Sequence, residues 1–95
     1  MISKKLTLEG KEFDAYSVML DSAPFLLIRA ADKSFLACGF LDISAADRLF
    51  SCAAKVSGVK TFEDMLAAEI IAVTKKAEEK GVVVGMSGKE ALLKF

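Results

Sequence analysis

The rhythm of apolar and polar positions along this chain changes near residue 41. In the first part, Leu6 and Leu8 alternate with Lys5, Thr7 and Glu9, the period-two pattern of a half-buried strand. Glu9-Gly10-Lys11 then supplies a glycine for a tight hairpin. Residues 12–20 set Phe13, Ala15, Ser17 and Met19 on one face, and Tyr16, Val18 and Leu20 on the other. Asp21 to Ala23 reads as a turn, and Pro24 opens the next strand without removing a ladder bond. Residues 25–31 and 34–41 flank Asp32-Lys33 and predict a second hairpin. Both runs are apolar at nearly every position, which predicts cover on both faces, by helices or by another subunit.

Beyond residue 41 helical signals enter. Ser44, with Asp47 three residues on, has capping-box spacing ahead of a short helix over 45–50. Residues 53–58 predict a strand. Thr61 caps a helix that starts at Phe62, with Asp64 at its third position. From Leu66 the apolar residues recur at Ile70, Val73 and Ala77, a helical spacing that Ile71 and Thr74 widen. Lys80-Gly81 is a helix stop. Residues 82–86 predict a short buried strand, and residues 88–95 a closing helix. The reading is one α+β domain over 1–95 with a mixed β-sheet. Its β-rich, hairpin-rich half spans residues 1–41, and its helices lie in an alternating α and β half over 42–95.

Composition adds a reason to expect self-association. A chain of 95 residues forms one small domain and buries only about 60% of its unfolded surface. Yet 54% of it is hydrophobic before glycine is counted, above the usual ~45–50% that includes glycine. Some of that apolar surface is expected at a subunit interface. Thirteen basic and thirteen acidic residues cancel, and Arg29 and Arg48 are the only arginines, so nucleic acid is not an expected partner. The longest apolar run, residues 35–41, is too short to cross a membrane. The N-terminus lacks the pattern of a signal peptide, and the two cysteines form no CxxC pair, which together predict a cytoplasmic protein.

The chain has no histidine, which removes the commonest general base near neutral pH and most zinc-site patterns. Scattered carboxylates and two distant cysteines give no metal site. Three stretches remain. Residues 81–90, "GVVVGMSGKE", bring glycines, Ser87 and Lys89 to a predicted strand-to-helix turn. A phosphate loop would need glycine at Val83 and a hydroxyl at Glu90. Ser87 and Glu90 instead have the spacing of a capping box, although free N–H groups at such a turn, with Lys89 beside them, can attract a small anion. Cys38-Gly39 offers a thiol next to a residue that leaves room for a substrate. Its activation would need a neighbouring cation or helix N-terminus, and without histidine a lysine such as Lys55 would have to serve as its base; the plain alternative is a small buried hydrophobe beside a bulge. Asp42 either caps the following helix or presents a carboxylate at a strand end. Cys38, Gly39, Asp42, Gly85, Ser87, Gly88 and Lys89 are therefore the candidate ligand-binding set of a small-molecule sensor or thiol-dependent enzyme.

Taken together, "ACGFLD" (37–42), "SGVKTFEDML" (57–66) and "GVVVGMSGKEAL" (81–92) resemble the YunC-like proteins of bacteria and archaea, a family carried as a domain of unknown function. The likeness spans nearly the whole chain and is loosest over residues 1–34. Its most specific parts are Cys38-Gly39 with Leu41-Asp42, Gly58 with Thr61, and Gly85-Met86 with Gly88 and Glu90-Ala91-Leu92. The resemblance implies an α+β fold whose N-terminal β region mediates tetramerisation, so the expected partner is the chain itself. It brings no reaction and no cofactor, and no catalytic role is carried over. Family members often carry a proline-containing break between the two middle helices. Residues 65–73 hold no proline, which predicts a longer or merely bent helix there.

Overall fold

A computed structural model describes residues 1–95. Ten elements follow one another: β1 (Ile2–Leu8), β2 (Lys11–Met19), β3 (Pro24–Ala30), β4 (Phe35–Ala37), α1 (Ile43–Arg48), β5 (Ala53–Lys55), α2 (Phe62–Ala67), β6 (Ala72–Val73), α3 (Lys75–Glu79) and α4 (Gly88–Lys94). The strands form one six-stranded sheet in chain order. All neighbours are antiparallel except β4 and β5, which run parallel with α1 as their crossover. The α+β reading with a mixed sheet and a hairpin-rich first half is the observed architecture.

The first hairpin closes with two residues, because Leu8 pairs with Lys11. Glu9 (φ 48°) and Gly10 (φ 82°) both take the left-handed backbone that such a loop requires to match strand twist. Register then decides which side chains go inward. Phe13, Ala15, Leu26, Ile28, Ala30 and Leu36 share the inner face and are buried. Met65 of α2, Ala91 and Leu92 of α4, and Phe95 complete that core. The two helices approach so closely that a Cβ on Gly88 would stand 1.9 Å from the Met65 carbonyl oxygen. Helices α1 and α3 pack against β5, and Ala46, Ala53 and Ala77 are buried.

The structure corrects several sequence expectations. The strand read over 34–41 stops at Ala37. The Leu41 N–H then donates to the Cys38 carbonyl, turning the chain away from the sheet. Nor is β3 covered on both faces to the same degree: Leu26, Ile28 and Ala30 are buried, whereas Phe25, Leu27 and Arg29 are half-buried. The first helix is capped by Asp42, two residues before Ser44, and Asp47 accepts from the Lys75 N–H at 2.9 Å instead of closing a capping box.

The helix expected through Leu66, Ile70, Val73 and Ala77 is broken without proline. Residues 70–74 include Ile70, Ile71, Val73 and Thr74, β-branched side chains that suit extended backbone. Their amides find partners outside any helix: Ile70 N–H donates to Met86 C=O at 2.8 Å and Ile71 N–H to Lys55 C=O at 2.8 Å. Tertiary pairing thus outweighs a helical spacing of apolar residues. Residues 82–86 form no strand. Only Val82 is buried there, while Val83 and Val84 are 52% and 60% exposed. Val82 N–H turns back to Ala77 C=O, and β6 already occupies the sheet edge that such a strand would need.

Candidate functional site

Parallel pairing of β4 with β5 places the carboxyl ends of both strands at one end of the sheet, the position where α/β architectures build pockets. The chain leaves β4 through Cys38 and Gly39 and leaves β5 through Val56 toward Gly58, with Val56 N–H still donating to Ala37 C=O at 2.9 Å. The turn that enters β3 reaches the same end. Between them lies a depression of about 330 Å³, lined by Ala23 and Pro24, by Cys38 to Phe40, and by Gly58 to Lys60.

The parts of this depression are held from behind. Cys38 is 3% exposed, and its Sγ accepts from the Leu26 N–H at 3.3 Å while its own N–H donates to Leu26 C=O at 3.1 Å. The thiol thus stitches β4 to β3 and lines the floor of the cavity. Phe40 stacks on Phe25 with ring centroids 6.2 Å apart. Lys60 is fixed through its backbone, whose N–H donates to Asp64 Oδ2 at 3.0 Å beside the Thr61 cap of α2. The N–H groups of Gly39, Phe40, Gly58 and Val59 donate to no acceptor within the chain. A cavity of largely apolar lining, with one ammonium group and free amides at its edge, can hold a small molecule carrying a negative charge.

The other sequence candidates lie elsewhere. Asp42 is a cap: its Oδ1 accepts from Ser44 and Ala45 N–H at 3.0 and 3.3 Å. Ser87 and Glu90 form the expected capping box around α4. The Ser87 N–H holds the Glu90 carboxylate below its ordinary range. At this turn Gly85 N–H donates to Ile70 C=O and Gly88 N–H to Ala68 C=O, so most amides there already have partners. Lys89 is exposed. Of the seven candidates, then, Cys38 and Gly39 share the depression, whereas Asp42 and residues 85–89 do not line it. Sequence reasoning missed Val59, Lys60, Ala23 and Pro24 as lining residues. Gly58 was legible only through a resemblance, because no local pattern announces that two loops meet.

No cluster of three or more Cys, Asp or Glu residues is placed to hold a metal ion, and no helix is long and apolar enough to cross a membrane. The outer sheet face divides into two regions. Near the first hairpin Asp14 lies 2.7 Å from Lys5 and 3.7 Å from Arg29, and the Lys5 ammonium holds its carboxyl below the usual range. Farther along, Val18 pairs with Phe25, and Tyr16 pairs with Leu27; these side chains are half-buried or exposed, as are Leu20 nearby in the chain and Phe40, which stacks on Phe25.

Comparisons with known proteins agree with this architecture. The chain is 37% identical to "Uncharacterized protein YunC" of Bacillus subtilis (strain 168), over 94 residues that make up 95% of this chain and 92% of that protein. It is also similar to the crystal structure of a protein of unknown function, TA1206 from Thermoplasma acidophilum, with a TM-score of 0.93 and 27% identity. That match covers 98% of this chain and 90% of the other. The family described as "Domain of unknown function (DUF1805)" matches residues 37–95, a stretch that starts at the end of β4 and includes Cys38, Gly58 and the capped turn before α4. The chain therefore belongs to the YunC-like DUF1805 family of uncharacterised proteins.

Proposed function

We propose that this protein works as a cytoplasmic homo-oligomer, a tetramer joined through its N-terminal strands. The observation that carries this reading is the outer face of β2 and β3. Tyr16, Val18, Phe25 and Leu27 line it, while the main packing of α1 and α3 is against β5. An apolar sheet face of this kind is stabilised when a second sheet or subunit covers it, with subunit contacts more apolar than ordinary surface. The free thiols of Cys38 and Cys52 support a reducing compartment.

The Cys38 depression favours a second role, as a small-molecule or anion-binding sensor. Phe40 connects the two readings, since its ring stacks on Phe25 of the open face and the residue also lines the cavity. Assembly and ligand binding would then share one edge of the subunit. Native mass spectrometry tests both together. A mass of four chains is expected, with any retained small molecule appearing as added mass that is lost on denaturation. A single-chain mass at micromolar concentration would sink the oligomer.

A further inference from the structure

At the opposite end of the parallel pair, the residues that precede β4 and β5 enclose a second basin of about 380 Å³. Lys33, Lys76 and Lys80 line it against one carboxylate, Asp32, so its fixed charge is 3 − 1 = +2 in a chain with net charge zero. Asp32 is already engaged. It accepts from the Lys80 ammonium and, at 3.0 Å, from the Ser34 N–H. Ser34 is 3% exposed, and its Oγ accepts from the same ammonium at 3.2 Å, which holds Lys80 against the wall. Lys33 and Lys76 have no ion-pair partner.

The rim has an unusual backbone. Glu9, Lys33 and Phe50 are the three non-glycine residues with positive φ; Glu9 and Lys33 close hairpins and Phe50 ends α1, and these last two turns bring Lys33 and Phe50 to this basin. Phe50 is 76% exposed, so it has an open ring face. Ser51 adds a hydroxyl, and Cys52 a half-buried thiol, to the lining.

We propose that this basin binds a phosphate-bearing small molecule, its phosphate oxygens shared by Lys33, Lys76 and Lys80 and its organic part resting on Phe50. Three ammonium groups act as point charges and suit a dianion without demanding the bidentate geometry that arginine would impose. A basin of this size, in a chain with net charge zero, suits a small molecule and not a nucleic-acid strand.

A two-dimensional amide NMR titration of the full chain with phenyl phosphate, matched in ionic strength by potassium chloride, tests this assignment. The expected result is a saturable set of shifts at Lys33, Ser51, Cys52 and Lys76. The double variant Lys33→Asn with Lys76→Gln should weaken binding about ten-fold, a difference of about 1.4 kcal/mol. Asparagine tolerates left-handed backbone, and both positions are exposed, so the variant should fold. Absence of saturable shifts by about 10 mM overturns the proposal, as does undiminished affinity in the double variant. Equal binding of benzoate would overturn the phosphate assignment.

Discussion

Thr74 engages both polar groups of Ala53. Its backbone N–H donates to the Ala53 carbonyl at 3.0 Å, and its Oγ1 accepts from the Ala53 N–H at 3.0 Å. The same hydroxyl caps α3 by accepting from the Ala77 N–H at 3.3 Å. One fully buried side chain therefore ends β6, starts α3 and satisfies an amide of β5. Replacing Thr74 with valine keeps the shape but leaves the Ala53 N–H buried without an acceptor. The expected loss is about 2–3 kcal/mol, from that desolvated group together with the lost cap. Thr74→Ser retains the hydroxyl and should lose less than half as much. Urea unfolding of the three proteins checks this, and equal stability of wild type and the valine variant would refute it.

Gly88 should tolerate no side chain. A Cβ there meets the Met65 carbonyl oxygen at 1.9 Å, and the atom in the way is backbone, which cannot swing aside. Gly88→Ala must push α4 off α2 and open the core around Met65 and Leu92. About 2–4 kcal/mol of destabilisation is expected, at the upper end for overpacking. Thermal unfolding by circular dichroism reads the effect. A melting temperature within a degree or two of wild type would show that the helices are not so closely apposed.

The Asp32–Lys80 pair should give stability an acid limb. Hydrogen bonding from Lys80 is the largest cause that lowers the Asp32 carboxyl to about 2, while burial opposes it. Because the folded value lies below the unfolded one, the contribution is fully present above about pH 4 and fades as pH falls toward 2. The Asp32 side chain is 42% exposed, so solvent screening keeps the effect below about 1 kcal/mol. Asp32→Asn should therefore lie slightly below wild type at pH 6, and the gap should narrow steadily between pH 4 and pH 2 in urea titrations. A gap that stays constant across this range would argue against the ion pair.

Much of the N-terminal half was legible because its information is local. A two-residue loop with glycine, a proline at a strand start and period-two side chains each act over a few residues, and β1 to β3 follow them. Helix caps were legible for the same reason at Thr61 and Ser87, whose hydroxyls accept from Asp64 and Glu90 as their spacing predicted. What the pattern could not supply was competition between partners. Ile70 and Val73 have helical spacing, yet an available edge on β5 recruits β6. The site was half legible: Cys38 and Gly39 stood out, but Lys60 joins them only because β4 and β5 run parallel.

Sheet order has a consequence for how the chain reaches its fold. Each strand lies beside the one before it in sequence, so pairing can extend from the first hairpin outward without any strand waiting for a distant partner. Topologies built from near neighbours fold faster than those that must first close long loops. The exceptions are contacts between segments distant in sequence: α4 against α2, and the Lys11 ammonium on the carbonyl oxygens of Leu93 and Phe95. The Lys11 contacts tie the first hairpin to α4, so loosening α4 would be felt at β2 as well as at α2.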